Sequence, residues 1–215
     1  MINFIKGCSI PNSEKLCEEY NLEESNMILA NVNAEKILKI IYDFIDMQDK
    51  DSRVFLFIEV PSQLEDEKIL KKSTNLENGI EVGVLESTHK DVYYMDDIPI
   101  QVFKDIIEPV KDVLVNDGMT IFGVGNHITG DEIGKYAYNE VMLHYHEDIK
   151  NYEKLFNDNG IKKNQNRISP WDLINNNNPG KSEIYIDKDG KNIYDIIDAF
   201  KESFEEFYKA EQREE

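Results

Sequence analysis

An apolar run that leads directly into an amphipathic segment occurs three times in this sequence. In the first unit, residues 27–32 are mostly apolar, and Ile37, Ile41 and Phe44 then recur at helical spacing after Asn33, a residue suited to cap the helix. Residues 92–95 begin the second unit and residues 140–145 begin the third. Three strand-then-helix units predict an α+β fold, in which a mixed β-sheet is flanked by amphipathic helices in a single domain.

Local signals refine this prediction. Pro109 lies inside the helical segment of the second unit, so we expect a kink or two shorter helices there. Residues 54–60 form a continuous apolar run rich in β-branched and aromatic side chains, which is typical of a buried strand. Further strands are predicted at residues 79–85 and 119–124, whereas residues 125–138 are expected to form a loop or a short helix.

The C-terminal part of the chain is predicted to extend the core domain, with the core at residues 1–168 and the extension at residues 169–215. Ser169, Pro170 and Asp172 provide a cap, a proline in the first turn and a carboxylate three residues after the cap, as a helix start requires. A turn, a short strand at residues 183–186 and an amphipathic helix from residue 193 to about residue 212 follow. We expect this helix to pack on the core, with a homodimer contact through it as the alternative.

The chain is strongly acidic. Its 215 residues include 24 Lys and Arg against 43 Asp and Glu, which gives a formal net charge of −19. Such a surface repels a phosphate backbone, so nucleic acid is excluded as a partner. The same charge supports solubility, and it favours encounter with a basic protein.

The sequence also favours a cytoplasmic location. No run approaches the roughly 18 apolar residues that cross a bilayer, and the first ten residues lack the apolar stretch of a secretory signal. We therefore expect no membrane association. Cys8 and Cys17 do not have CxxC spacing and are expected to be reduced thiols.

Two alternating histidines are the best candidates for chemistry. Glu140, His144 and His146 are separated by even numbers of residues on a predicted strand, where alternate side chains point to one face. Two imidazoles there could bind a metal, with His127, or the nearby Asp131 or Glu132, as a third ligand. Glu140 would then be a carboxylate that orients a ligand, or a base, which is the pattern of a metal-dependent hydrolase. The alternative is that these residues form the polar face of a half-exposed strand without a metal.

Three glycines follow the predicted strand at 119–124. Gly123, Gly125 and Gly130 match neither the GxGxxG nor the P-loop spacing, because glycine is absent at Ile128 and no terminal Gly-Lys-Ser/Thr follows. They are therefore interpreted as a tight turn, and no cofactor is expected.

These observations favour a non-catalytic protein-binding or inhibitory module over an enzyme. It would cover a basic surface of a partner, as an immunity protein neutralises a basic toxin. We expect Trp171 and Tyr145 to be the aromatic anchors, because tryptophan and tyrosine are enriched at interaction hot spots, and Glu205 and Glu206 to attract the partner. The metal-dependent hydrolase remains the alternative.

Overall fold

A computed structural model of the chain describes residues 2–62, 90–146, 149–175 and 177–210. Its centre is a nine-stranded sheet. In chain order the strands of this sheet are β2 (Glu19–Glu23), β3 (Met27–Asn31), β4 (Arg53–Pro61), β5 (Lys90–Pro99), β6 (Ile121–Asn126), β7 (Glu132–Lys135), β8 (Glu140–His144), β9 (Lys162–Lys163) and β11 (Phe207–Lys209). Two further strands, β1 (Cys8–Ser9) and β10 (Lys181–Ser182), form a small antiparallel sheet of their own.

The strand order of the large sheet is β11-β5-β4-β6-β7-β8-β3-β2-β9. Neighbouring strands are antiparallel except for β2 and β9, which are parallel. The sheet is therefore mixed, as predicted. Antiparallel pairing allows one face to remain without helices while the other carries the core.

Six helices accompany the sheet in the described ranges: α1 (Ala34–Met47), α2 (Ile100–Ile107), α3 (Lys111–Asn116), α4 (Ile149–Asp158), α5 (Pro170–Leu173) and α6 (Ile193–Ser203). Helices α3 and α6 pack on the same face of the sheet. Lys135 of β7 reaches the carbonyl of Leu114 in α3. Phe207 of β11 contacts Phe200 of α6, with ring centroids 5.5 Å apart. Both contacts come from side chains on the same, fully buried face of the sheet.

The three predicted strand-then-helix units are confirmed as β3 with α1, β5 with α2 and α3, and β8 with α4. The predicted break at Pro109 is also confirmed, because a 3₁₀ turn at Glu108–Val110 separates α2 from α3. The α+β fold class, with a mixed sheet flanked by amphipathic helices in a single domain, is thus correct.

Three local predictions are wrong. Residues 125–138 contain β7, which lies between β6 and β8. The last helix ends at Ser203, because Phe207 pairs with Met95 of β5 and so begins an edge strand. The short strand near residue 183 is displaced to Lys181–Ser182, where it pairs with β1. The strand predicted at residues 79–85 lies outside the described residues.

Candidate functional site

The face of the sheet opposite the helices carries a cluster of aromatic side chains. In β4, Val54, Leu56 and Ile58 are fully buried toward the helices, so the alternating Phe55 and Phe57 point the other way. Tyr94 of β5 lies opposite Phe57, and Tyr208 of β11 lies opposite Tyr94. We call Phe55, Phe57, Tyr94 and Tyr208 the aromatic face.

The four rings form one connected surface. Tyr94 and Tyr208 stack at a centroid distance of 5.9 Å, and Phe55 lies 6.1 Å from Tyr94 and 6.4 Å from Phe57. Phe57 is buried, Phe55 and Tyr94 are half-buried, and Tyr208 is 47 % exposed. The exposure of the rings therefore increases from the packed centre at Phe57 to the open edge at β11.

Two glycines of β6 allow the phenylalanine rings to lie flat on the sheet. Gly123 lies opposite Phe57 and Gly125 opposite Phe55. A Cβ atom on Gly123 would be 2.5 Å from the Phe57 ring, and one on Gly125 would be 2.3 Å from the Phe55 ring. The interpretation of the three glycines as one tight turn is therefore wrong for these two, and only Gly130, with φ of +75°, is in the turn.

Carboxylates border the aromatic face. Asp96 contacts the imidazole of His127 and accepts a hydrogen bond from the Tyr208 hydroxyl at 3.2 Å. Burial alone would raise the pKa of Asp96, but the hydrogen bond with His127 holds the pKa of this carboxyl below its usual value. Burial raises the pKa of Glu132. Burial and the nearby Glu132 and Glu59 also raise the pKa values of Tyr94 and Tyr136.

The four residues of the predicted metal site contact three different sets of partners. His127 bonds to Asp96 and packs on Phe55, with ring centroids 4.7 Å apart. His144 and His146 contact each other edge to face at 4.9 Å. Glu140 forms an ion pair with Arg167 at 2.8 Å. In the part of the chain that the structure describes, no group of three or more His, Cys, Asp or Glu side chains is arranged to hold a metal ion.

The Glu140–Arg167 pair is buried, with side chains 10 % and 3 % exposed. Arg167 also donates to the side-chain oxygens of Asn21, at 2.7 Å, and of Asn31. The guanidinium thus joins β2, β3 and β8 through three hydrogen bonds, one of them to a carboxylate that compensates its buried charge. Arg167 follows the exposed Lys162 and Lys163 closely in sequence, but its own charge lies in the interior rather than on the surface.

The predicted partner-binding residues lie at different places. Trp171 is 43 % exposed and packs edge to face on Tyr138, which precedes β8, with centroids 5.1 Å apart. Tyr145 follows the other end of β8 and is half-buried beside Tyr152. Glu205 and Glu206 are exposed in the turn before β11. Of these four residues, Glu205 and Glu206 are the nearest in sequence to the aromatic face, because they come three and two residues before Tyr208.

No protein family, curated protein or solved structure matches this chain. Among the described helices, none combines the length and the apolar composition that a bilayer crossing requires.

Sequence reasoning missed the aromatic face, although part of the signal was present. The run at residues 54–60 indicates a strand buried on both sides, whereas Phe55, Phe57 and Glu59 occupy the alternate positions, which point away from the helices that the structure describes on the core face. The glycines at alternate positions of the next strand in the sheet, Gly123 and Gly125, are the matching signal. To match these glycines with the phenylalanines, the register between β4 and β6 must be known, and the paired residues are more than sixty positions apart in the sequence.

Proposed function

We propose that this chain is a non-catalytic, acidic protein-binding module whose aromatic face binds a basic protein. The observation that carries the proposal is the connected surface of Phe55, Phe57, Tyr94 and Tyr208, bordered by Asp96 and Glu132. Aromatic residues with a packed centre and a polar border are the usual composition of a protein interface.

The charge of the chain supports a basic partner. A net charge of −19 attracts a basic surface over long range and speeds association. Glu205 and Glu206 are exposed in the turn that leads into β11, the strand that carries Tyr208, and would contact basic side chains of the partner. An immunity-type antidote to a basic toxin is one concrete form of this function.

We also propose that the protein works in the cytoplasm. Cys8 is buried, Cys17 is exposed, and both are free thiols, which suits a reducing compartment.

The test is affinity capture from native lysate with wild-type protein and with the double variant Tyr94→Ala/Tyr208→Ala. The matched control is Ile184→Ala/Ile186→Ala, because it also removes two large side chains that are accessible, at 42 % and 60 % exposure, but lie after β10. We expect a basic protein to be captured by the wild type and by the control. Its dissociation constant, measured by calorimetry, should rise at least about tenfold in the tyrosine variant.

Salt dependence provides the second measurement. If charge attraction guides the encounter, the association rate constant should fall steeply as ionic strength rises. The proposal fails if the set of captured proteins is the same for both double variants, or if the protein that depends on the tyrosines is acidic.

A further inference from the structure

A cleft of about 430 Å³ lies at the C-terminal end of α1, and none of the four residues of the aromatic face is part of its lining. The loop after α1, the turn between β6 and β7, and the first turn of α4 form its walls. Its lining includes Met47, Asp49, Asp51, Ser52, Asp131 and Tyr152. The volume is within the range of small-molecule sites.

Asp131 provides a buried carboxylate in this cleft, with the residue only 4 % exposed. Its Oδ1 accepts a hydrogen bond from the backbone N–H of His146 at 2.8 Å, and its Oδ2 accepts one from the Tyr152 hydroxyl at 2.5 Å. Burial, followed by this hydrogen bond, raises the pKa of Tyr152, so the hydroxyl keeps its proton and donates it.

The charge of Asp131 is not matched by a lysine or arginine within the described ranges. The nearest basic group is the half-exposed imidazole of His146, whose Nδ1 lies 3.8 Å from Oδ1. A buried carboxylate is costly without a cation, even when neutral donors satisfy it. The cleft therefore favours a positively charged ligand.

Ser52 is a second and independent indication of a ligand. The residue is only 7 % exposed and lines the cleft. Its backbone N–H donates to Asp49 at 2.9 Å, and its carbonyl accepts from Ile100 at 3.4 Å. Its hydroxyl has no hydrogen-bond partner among the described residues, and buried hydroxyls normally have one.

The remaining lining specifies the chemical class of the cation. Asp49 and Asp51 are exposed and add negative charge at the mouth, while Met47 and the Tyr152 ring provide apolar surface. The cleft brings together no set of three His, Cys, Asp or Glu ligands suited to a metal ion within the described chain. Apolar walls beside carboxylates suit an alkyl chain that ends in a cationic nitrogen.

We propose that this cleft binds the ammonium or guanidinium group of a small organic cation. The cationic N–H groups would donate to Asp131 and to the Ser52 hydroxyl, and the alkyl chain would lie on Met47 and Tyr152. The site is independent of the aromatic face and does not require the proposed protein partner.

Calorimetric titration with agmatine and spermidine tests the proposal, with uncharged 1,4-butanediol as the control ligand. We expect saturable binding of at least one amine and none of the diol. Asp131→Asn should weaken binding at least about tenfold, since it removes a charge-assisted hydrogen bond. Ser52→Ala should weaken it about fivefold. Asp105→Asn, which makes the same change of net charge at an exposed position on α2, should have no effect.

Circular dichroism establishes that each variant is folded. If the buried Asp131→Asn variant does not fold, the affinity of Ser52→Ala is compared with that of Asp105→Asn. Ser52→Ala is suitable because this substitution removes only a hydroxyl. A lysine residue blocked at both backbone ends serves as a further ligand. If it binds as tightly as the free amines, the cleft accepts a basic side chain of a protein; if it binds much more weakly, the cleft selects a free amine.

Three results would overturn the proposal: no saturable binding of either amine, equal weakening by Asp105→Asn and Ser52→Ala, or stoichiometric displacement of the amine by Mg²⁺ or Ca²⁺. The tyrosine double variant of the aromatic face should bind the amines normally. Loss of protein capture and loss of amine binding are therefore distinguishable.

Discussion

Lys135 is a fully buried lysine on the core face of β7. Its Nζ donates to the carbonyl oxygens of Leu114, at 3.2 Å, and of Asp117, at 2.6 Å, at the C-terminal end of α3. These carbonyls and the helix dipole favour a cation there. Burial nevertheless dominates and lowers the pKa of Lys135 from 10.5 to about 8.

This lowered pKa predicts a pH dependence of stability. Below about pH 8 the lysine is charged in the folded state, and burial of this charge lowers the free energy of unfolding. Between pH 8 and 10.5 the unfolded chain binds more protons than the folded one, so the free energy of unfolding rises with pH. The free energy of unfolding should therefore rise by about 2 kcal/mol from about pH 7 to about pH 9.5, relative to a Lys135→Met variant. Urea denaturation of the wild type and of Lys135→Met at each pH gives the difference between their free energies of unfolding. The titration of all other groups cancels in this difference. A difference that stays constant or falls would contradict the prediction.

The glycines beneath the phenylalanine rings predict two different substitution effects. In Gly123→Ala, the new Cβ would be 2.4 Å from the backbone oxygen of Ile133 as well as 2.5 Å from the Phe57 ring, so the sheet itself would have to shift. We expect a loss of about 2–3 kcal/mol of unfolding free energy. In Gly125→Ala, the nearest atoms all belong to the half-buried Phe55 ring, which can move outward, so about 1 kcal/mol is expected. Denaturation of the two variants checks this order, and equal losses would argue against it.

The helix caps allow a comparison between two elements that begin in the same way. The Asn192 side chain accepts hydrogen bonds from the N–H groups of Tyr194, at 2.9 Å, and Asp195, at 3.4 Å, at the start of the eleven-residue α6. Ser169 accepts one from Trp171 at 3.0 Å, but α5 has only four residues. Asn192→Ala should cost about 1 kcal/mol of stability, and Ser169→Ala should cost less, because a shorter helix depends on fewer packed residues. Chemical denaturation of the two variants measures both losses of stability. A larger loss for Ser169→Ala would show that α5 contributes more to stability than its length indicates.

Apolar spacing and capping residues predicted the helices correctly where these local patterns determine the structure. The spacing of Ile37, Ile41 and Phe44 predicted α1, and the reciprocal hydrogen bonds of Ser169 and Asp172 confirm the predicted helix start. Strand β7 was missed because its four residues include only one apolar side chain that faces the core, Ile133, and its strand conformation is imposed by β6 and β8 on either side. Tertiary pairing therefore decided what local composition could not.

The end of α6 illustrates the same limit. Phe200, Phe204 and Phe207 continue at helical spacing, so periodicity alone extends the helix through them. In the fold, Phe207 stacks on Tyr93 of β5 with centroids 5.6 Å apart and pairs in register with Met95. Helical periodicity and an aromatic edge strand have the same sequence pattern over this distance, and only the position of β5 separates them.

The aromatic face exists only in the assembled sheet. Tyr208, Tyr94 and Phe57 lie in one row across β11, β5 and β4, three strands that are far apart in the sequence. Single residues favour Trp171 and Tyr145 as anchors, but Trp171 packs on Tyr138 before β8 and Tyr145 follows the other end of that strand. Surface sites formed by strand register are accessible from sequence only after the strand order is known, and this order includes the β5-β4-β6-β7-β8 connections that no motif specifies.

The net charge of −19 predicts how the stability of the whole folded chain depends on salt. Like charges repel more strongly in the compact state than in the expanded unfolded chain, and many of the ion pairs are exposed, such as Lys6 with Asp112, and contribute little. Salt shortens the screening length from about 30 Å at 0.01 M to about 3 Å at 1 M. The melting temperature should therefore rise by roughly 5 °C from low to high NaCl, as followed by calorimetry.

A matched series at equal ionic strength in NaCl and MgCl₂ separates screening from ion binding. Screening of the surface charge predicts nearly the same melting temperature in both salts at each ionic strength. A larger rise at low millimolar Mg²⁺ would instead indicate a specific cation site. A fall with NaCl would show that attraction within the ion-pair network, including the exposed Lys39–Asp43 and Lys104–Asp46 pairs, outweighs the repulsion of the excess carboxylates.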